Sequence, residues 1–398
     1  MVASVVKIPR DTIKFLVENS LFLIFGALCG LIWANVDNPG YSHLAHEMHF
    51  WVNDIAMAFF FLLAGKEIRE AMLPGGSLAD RKTAALPLLA TIGGMLGPAL
   101  IYLVGAYSLN PELSRGWAIP MATDIAFSYM VAKIIFGKGK DGKQHAAIVF
   151  LLLLAIADDA GGLLILAAFY PTGDTSMLLF ALLLTGAIGI SLFFWKIMRI
   201  TSFWPYLIVP GVISWFAFYK GGIHPALALV PLAWCIPHAK SDMGIWAVGE
   251  SSRKDTLNQL EHWWKTPVEL ILGIFGFVNA GVEFSSVGVG TFLVLAGLLV
   301  GKPLGIYLMV RLGQRFGLTL PEGMDNRDVI IVGFAAGIGF TVALFVSVVA
   351  FPAGAIQDSL KMGALISFFA VPLTFLVARF LKRGSGKNER KIVVKIAA

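Results

Sequence analysis

Long apolar runs alternate along the chain with short polar segments. The runs are about 16–25 residues long, and a helix of that length can cross the hydrocarbon core of a bilayer, which is about 30 Å thick. The pattern predicts an all-α polytopic membrane protein with twelve transmembrane helices. The predicted spans are 15–36, 51–65, 84–107, 117–136, 146–170, 177–197, 204–219, 223–236, 268–282, 288–310, 328–350 and 362–381. The stretches Val36 to Trp51 and Pro237 to Pro267 are expected to be loops.

The composition also favours a membrane protein. Of the 398 residues, 57% are hydrophobic and 14% are charged, whereas about a quarter of the residues are charged in soluble domains. A large soluble helical protein, the alternative, would need many buried helices without a polar face. Basic loops account for the net charge of +6, so the expected partner is the lipid bilayer and not nucleic acid. Cys29 and Cys235 lie in apolar runs and imply neither a disulfide framework nor a metal-thiolate site.

Lysine and arginine are distributed unequally between alternate loops. With the N-terminus in the cytoplasm, the loops predicted outside hold only Arg115, Lys220 and Lys361. Because cytoplasmic loops are enriched in basic residues, both termini are predicted to be cytoplasmic, with a short N-terminal segment and a basic tail at about 382–398. No linker or change of composition divides the chain. Residues 1–398 are therefore expected to form a single integral-membrane transporter domain.

Four ionisable residues fall near the middle of predicted spans, and they are Asp124, Asp158, Asp159 and Lys302. A charge at the bilayer centre costs about 2.5–3.5 kcal/mol on insertion scales. Each of the four therefore needs a partner, a water-filled cavity or a function. Other charged residues lie nearer to the ends of spans, where long side chains such as those of Lys133 and Lys196 can reach the headgroups.

Asp158 and Asp159 are adjacent in the apolar stretch "LLLLAIADDAGGLLIL". Neighbouring residues of a helix point about 100° apart, so one carboxylate can face a cavity while the other faces a packed helix. At least one is expected to bind and release protons near neutral pH. Once deprotonated, it is a hard oxygen ligand for a small cation. A purely structural ion-pair network is the alternative interpretation.

Lys302 is predicted to pair with a carboxylate of the Asp158–Asp159 helix, because nothing else in its own span compensates the charge. Gly297, Gly301 and Gly305 recur every four residues around it. That spacing gives the helix a small face and allows a neighbouring helix to approach closely. Pro303 is expected to loosen the helix beside the lysine.

Two predicted spans contain residues that disfavour a continuous helix. Pro120 precedes Thr123 and Asp124 in the fourth span, and the eleventh contains "GFAAGIGFTVAL". Two interrupted helices in corresponding parts of a chain are typical of the ion site of a transporter. Asp124 is expected to offset the exposed N-terminal helix ends there, and Lys302 the C-terminal ends.

The stretches "GWAIPMATDIAF", "LAIADDAGG", "GKPLGI" and "GIGFT" resemble signature stretches of the NhaA-type bacterial sodium/proton antiporters. So do "WVNDIAMAFFFLLAGKEI", "GIHPAL", "LEHWWKTPV" and "FGFVNAGV", and all follow the family order from about residue 20 to residue 380. The resemblance implies twelve helices in inverted repeats, with two broken helices that cross at the midplane. It places the breaks at Thr123–Asp124 and around Gly337–Phe340.

The resemblance also implies roles for individual residues. Asp159 corresponds to the principal carboxylate for cation and proton, and Asp158 to its partner, which forms a salt bridge with Lys302. Thr123 and Asp124 correspond to residues at the helix crossing, and Thr123 is a further candidate ligand of the transported ion. The positions at which the family has residues that influence its response to pH are Glu67, His224 and Glu261.

The expected function is that of an electrogenic antiporter in a bacterial inner membrane, which exports Na⁺ or Li⁺ in exchange for protons by alternating access and regulates internal pH and sodium. No nucleotide-binding signature such as a P-loop is present, so ion gradients must supply the energy. Neither an enzymatic activity nor a cofactor is expected, and the formation of a homodimer stays open. The rival functions are sodium-coupled symport of an organic solute, and a passive channel or sensor.

Overall fold

The computed structural model of the chain describes residues 21–79, 81–137, 144–173, 176–238 and 255–382. In these ranges the chain is helical and contains no β-strand, so the all-α class is confirmed. The start of the first predicted span and the tail beyond residue 382 lie outside the described residues. Among the described residues, seven helical segments are long and apolar enough to cross a bilayer, or eight if one bent pair forms a single span.

Fifteen helices are labelled here in chain order. They are α1 (Leu21–Val36), α2 (Asn38–His49), α3 (Met57–Met72), α4 (Arg81–Leu109), α5 (Ile125–Phe136), α6 (Ala146–Phe169), α7 (Met177–Lys196), α8 (Val212–Gly221), α9 (Thr256–Ala280), α10 (Val289–Ala296), α11 (Lys302–Arg315), α12 (Asn326–Ala336), α13 (Phe340–Ala350), α14 (Ala355–Ile366) and α15 (Ala370–Lys382). Wider π-helical turns at Phe50–Ala56, Leu207–Gly211 and Gly297–Gly301 lead into α3, α8 and α11. Tighter 3₁₀ turns include Ile119–Met121, Pro225–Leu227 and Val230–Trp234.

The loop predicted between residues 36 and 51 is wrong, because α2 occupies it. Asp37 caps this helix by accepting a hydrogen bond from the backbone N–H of Gly40, at 3.1 Å. Proline follows in the first turn, where its missing N–H costs nothing. The π-helical turn then joins α2 to α3 in one helical segment, Asn38–Met72.

The loop predicted from residue 237 to 267 is also wrong in its second part. Helix α9 begins at Thr256, where Asp255 caps it by accepting from the backbone N–H of Asn258 at 2.9 Å. The predicted span 268–282 is therefore the second half of a longer helix. The predicted span 223–236, by contrast, contains two short 3₁₀ turns, because Pro231 lies where a helix that begins at Pro225 would have to continue, and a proline inside a helix removes a hydrogen bond.

Glycines bring α4 and α11 into backbone contact. A Cβ atom placed on Gly305 would lie 2.0 Å from the carbonyl oxygen of Gly93, and one on Gly301 would lie 2.6 Å from Pro98 Cα. Helices α1 and α9 meet in the same way, since a Cβ on Gly30 would lie 2.3 Å from the Phe277 carbonyl oxygen. The predicted small face around Lys302 is confirmed. Close contact of this kind stabilises helix pairs where no hydrophobic force acts between them.

Large apolar side chains cover the outside of the bundle. Phe25 of α1 is 68% exposed, Val104 of α4 is 67% exposed and Leu178 of α7 is 74% exposed. Contiguous apolar surface of this extent is unfavourable in water and is typical of a surface that faces lipid. The arrangement is that of a multi-pass membrane protein whose polar groups point inward.

We expect Gly305→Ala to destabilise the fold, because the new methyl group would meet backbone atoms of α4 that cannot rotate away. The expected loss is about 1–3 kcal/mol of unfolding free energy, the range for overpacked interiors. It would be measured as a lower Tm of the detergent-solubilised protein. Gly186→Ala is the matched control, because a Cβ on Gly186 has no atom within 4 Å. Equal Tm values for the two variants would contradict the importance of this contact.

Candidate functional site

Helix α6 places Asp158 in the interior of the bundle, where it meets Lys302 of α11. The Lys302 Nζ lies 2.6 Å from Asp158 Oδ2, and the two side chains have no exposed surface. The predicted contact between these residues is therefore present. The ammonium group of Lys302 also donates to the backbone carbonyl of Met121. A buried ammonium group thus has one carboxylate and one carbonyl as partners.

Thr123 contributes a second donor to the same carboxylate. Its hydroxyl donates to Asp158 Oδ2 at 2.7 Å, and the hydroxyl oxygen lies 3.1 Å from the carbonyl oxygen of Ala336. Both partners of Asp158 are therefore on Oδ2. Its other oxygen, Oδ1, is buried and has no hydrogen-bond partner among the described residues. That oxygen is available to a proton or a cation.

Two helical segments are interrupted beside Asp158. Residues 122–124 are extended between the 3₁₀ turn Ile119–Met121 and helix α5. Helix α12 ends at Ala336 and α13 begins at Phe340, with a bend of 49° between them. The backbone N–H of Asp124 donates to the Ile338 carbonyl at 2.7 Å, so a hydrogen bond joins the two interruptions directly.

Asp124 lies at the N-terminal ends of both α5 and α13. Its carboxylate accepts from the backbone N–H groups of Phe127 and Thr341, at 3.4 and 3.3 Å, and from the Thr341 hydroxyl. Helix N-termini carry partial positive charge, so the carboxylate offsets two of them, as the sequence predicts. The C-terminal carbonyls of Met121 and Ala336 face Lys302 and Thr123 instead.

Asp159 lies beside this network and makes none of its contacts. The side chain is partly buried and, with Asp158, lines a cavity between α3, α6 and α13. Its Oδ1 atom is buried without a hydrogen-bond partner among the described residues. The cavity is otherwise apolar, with Phe60 and Val342 in its wall. An uncompensated carboxylate charge in apolar surroundings is costly. Binding of a proton or a cation by Asp159 removes that cost.

Two of the predicted pH-response residues lie on α3 and α9. Glu261 forms an ion pair with Lys66, and Lys66 also pairs with Glu70 one turn away on α3. Lys66 is only 2% exposed. Glu67 follows Lys66 and lies one turn beyond Ala64, which lines the cavity of Asp159. No described hydrogen bond or ion pair joins this group to Asp158 or Asp159.

The third of these residues, His224, is separate from both groups. Its Nε2 lies 3.5 Å from Asp54 Oδ1, and its Nδ1 accepts a hydrogen bond from the backbone N–H of Ala226 at 3.3 Å. The imidazole ring packs edge-on against Phe345. The structure therefore brings together Thr123, Asp124, Asp158 and Lys302, with Asp159 adjacent, but it does not add His224 to them.

Sequence reasoning missed several contacts in the site and in the neighbouring Lys66 group. Thr341 stands in the "GIGFT" stretch, but its hydroxyl contact with Asp124 has no signal beyond that motif. The carbonyls of Met121 and Ala336 are backbone groups, which residue types cannot reveal. Lys66 is adjacent to Glu67 in the sequence, but its ion pairs with Glu70 and Glu261 appear only in the structure.

Known proteins are similar to this chain in sequence over nearly its whole length. The family described as "Na+/H+ antiporter 1" matches residues 11–377. A protein of Jannaschia sp. (strain CCS1) named Na(+)/H(+) antiporter NhaA is 45% identical, and the match covers 92% of this chain and 97% of the relative. Proteins of the same name from Desulfitobacterium hafniense (strain DSM 10664 / DCB-2) and Geobacter metallireducens (strain ATCC 53774 / DSM 7210 / GS-15) are 44% and 43% identical. Each of these two matches covers 94% of this chain, with 96% and 98% of the relative respectively. The chain therefore belongs to the Na⁺/H⁺ antiporter 1 family.

Proposed function

We propose that Asp159, with Asp158 and Thr123, forms one site for which Na⁺ and protons compete. The observation that supports this proposal is the carboxylate pair beside the cavity. The Oδ1 atom of each residue is buried and has no hydrogen-bond partner among the described residues. Carboxylate and hydroxyl oxygens are the ligands that hard cations prefer. Deprotonated carboxylates bind Na⁺, and protonation removes the charge that holds it.

The membership in this family makes the protein a Na⁺/H⁺ antiporter. It is a transporter and not an enzyme, and Na⁺ and H⁺ are its substrates, with no cofactor required. Sodium-coupled symport of an organic solute is not favoured by the relatives, each of which is named as an antiporter. We extend the proposal to Li⁺, because a small hard cation uses the same oxygen ligands.

The proposed exchange is electrogenic, with two protons for each Na⁺. One proton binds to Asp159, and the second resides on the Asp158–Lys302 pair. In the proton-loaded state Asp159 is neutral, and the charges of Asp158 and Lys302 cancel. When Na⁺ draws on both carboxylates, Lys302 loses part of its counter-charge and releases its proton. Two protons then enter for each Na⁺ that leaves, and one positive charge moves inward per cycle.

The proposed architecture has twelve transmembrane helices with inverted repeats. The same order of segments occurs twice in the chain. In the first part, the continuous helix α4 is followed by an interrupted segment and by α6. In the second part, the continuous segment α10–α11 is followed by an interrupted pair and by the segment α14–α15. The interrupted members are the segment 119–136 and the pair α12–α13, whose breaks meet through Asp124. We propose that these two broken helices cross at the middle of the membrane, as in other transporters that bind ions at helix breaks.

We propose that the whole chain forms one transporter domain in a bacterial inner membrane, with both termini in the cytoplasm. The support is the bias of lysine and arginine towards the loops on one side. In this orientation the N-terminal end of α6 is inside and its C-terminal end is outside. We also assign Glu67, His224 and Glu261 to the pH response, on the resemblance to the family. Exchange by Glu261→Gln, measured as a function of pH, tests that assignment. A role in the pH response predicts a shift of the pH profile relative to that of the parent, with the maximal rate retained.

Asp159→Asn is expected to abolish exchange. The asparagine side chain has nearly the volume of aspartate, but it carries no negative charge to hold Na⁺ and cannot bind and release a proton. Exchange would be measured in proteoliposomes as Na⁺ movement against its gradient, driven by an imposed pH difference. Asp124→Asn is the matched control, since that carboxylate caps two helices and touches neither Asp158 nor Asp159. It should reduce the rate or the Tm while leaving measurable exchange.

Near-normal exchange by Asp159→Asn would contradict the assignment of the site. Complete loss of exchange in a stable Asp124→Asn protein would make Asp124 an essential ligand instead. Absence of Na⁺ movement against its gradient in the parent protein would overturn antiport itself, and Na⁺-driven uptake of a labelled solute would favour symport.

Lys302→Arg tests whether the lysine carries the second proton. Arginine keeps its proton throughout the accessible pH range, so a folded variant should exchange one H⁺ for one Na⁺ and lose net charge movement. Membrane-potential recordings during exchange would detect that loss, and Lys302→Gln should likewise retain some exchange without charge movement. Undiminished electrogenic transport by Lys302→Arg would reject the carrier role and leave Lys302 as a structural charge at the helix break.

A further inference from the structure

The cavity beside Asp159 extends along α6 in only one direction from the two carboxylates. Its other lining residues on α6 are Gly162, Leu163 and Leu166, and an adjoining part includes Ile165. All of these residues follow Asp159 in the chain. The span from Asp158 to Leu166 corresponds to about 12 Å of helix. The cavity therefore runs from the carboxylates towards the C-terminal end of α6.

The opposite direction along α6 is closed by packing. The six consecutive residues 150–155 are all buried, with exposures of 7% or less. Consecutive residues of a helix cover its whole circumference, so α6 is packed on every side before it reaches Asp158. Among the described residues of α6, the cavity therefore extends from the carboxylates in one direction only.

The two interrupted segments agree on the side of the protein towards which the cavity extends from the carboxylates. Val342 and Val346, which line it, belong to α13, the half of the bent segment that follows the break. Ala118 and Met121, on the other interrupted segment, come before the break. In the proposed orientation, these halves and the C-terminal end of α6 all lie on the outer side of the membrane.

Gly162 faces open space at the wall of this cavity. A Cβ atom placed on Gly162 would have no atom within 4 Å, whereas one on the preceding Gly161 would lie 2.5 Å from Met95 Cε. Gly162 is three and four residues beyond Asp159 and Asp158, and such positions are neighbours on a helix surface. A side chain at residue 162 would therefore project into the space directly outward of both carboxylates.

We infer that this cavity is the outer half of the ion path, and that Gly162 determines whether Na⁺ can pass along it to Asp159. The inference rests on the proposed ion site and orientation. The wall is apolar except for the carboxylates, and apolar constrictions in membrane proteins control passage through their width and hydration. Glycine leaves the widest space at this point, and any larger side chain narrows it.

A series of side chains at residue 162 tests the width of the path. Gly162→Ala should exchange Na⁺ for H⁺ within twofold of the parent rate, while Gly162→Leu should be at least tenfold slower. Gly186→Leu is the control, because Gly186 also has open space around it but lies on an exposed face of α7. It should retain the parent rate. Gly162→Leu should still show a rise in Tm on addition of Na⁺, because Na⁺ binding to the folded state stabilises it and the site itself is unaltered.

A cysteine at residue 162 tests the side from which the cavity is reached, and it does not depend on tolerance of leucine. In a background in which Cys29 and Cys235 are replaced by serine, Gly162→Cys should react with a small, charged, membrane-impermeant thiol reagent added from outside. The reaction should block exchange. Gly161→Cys is the matched control, because that position faces Met95 and should react at least tenfold more slowly.

A folded Gly162→Leu protein that exchanges at a rate within twofold of the parent rate would overturn the inference. Loss of the Na⁺-dependent rise in its Tm would also overturn it, because residue 162 would then belong to the binding site itself. Reaction of Gly162→Cys only from inside, or no faster than Gly161→Cys, would overturn it as well. The proposed function fails separately, if the parent protein itself shows no exchange of Na⁺ for H⁺.

Discussion

A lysine without exposed surface is the feature on which the interior of this protein depends. An uncompensated ammonium group inside a membrane bundle would cost several kcal/mol, and removal of one partner of a buried pair costs about 3–5 kcal/mol. Lys302 is compensated by Asp158 and by the Met121 carbonyl. The pair thus connects α11 to α6 and to the end of a 3₁₀ turn. The carbonyl is available only because the chain leaves helical geometry after Met121.

Close contact at glycine residues fixes the position of Lys302. Gly301 and Gly305 press α11 against the backbone of α4, and the Lys302 stem passes close to Gly94, where an added Cβ would lie 3.8 Å from Lys302 Cε. A small change at this contact would move the ammonium group relative to Asp158. Helix packing, charge compensation and ion binding are therefore linked in one structural unit. The same link explains how an ion that competes for Asp158 can affect a residue on a different helix.

The charges in apolar spans were sufficient to predict that Lys302 pairs with a carboxylate of the Asp158–Asp159 helix, and that Lys302 and Asp124 have opposite roles at helix ends, because unpaired charges there have few solutions. The choice of Asp158 over Asp159 came from the resemblance to the family. The extents of α2 and α9 were missed because the first turns of both helices are polar and were taken for loops, although Asp37 and Asp255 are ordinary N-cap residues. The contacts of the Met121 and Ala336 carbonyls were also beyond sequence reasoning, because a backbone group has no residue type. The same is true of the cavity at Gly162, because open space is a property of the packed bundle.

The competition between Na⁺ and protons for one site is tested most directly by counting the protons released when Na⁺ binds. Purified protein in weakly buffered detergent solution, set to a pH at which the site is protonated, would be titrated with Na⁺ while the pH and the heat of binding are followed. Asp159→Asn would be titrated in the same way. Release that approaches two protons per bound Na⁺ is expected in the parent, and neither binding nor release is expected in the variant. Saturable binding of Na⁺ to the parent without release of protons would contradict competition for one site.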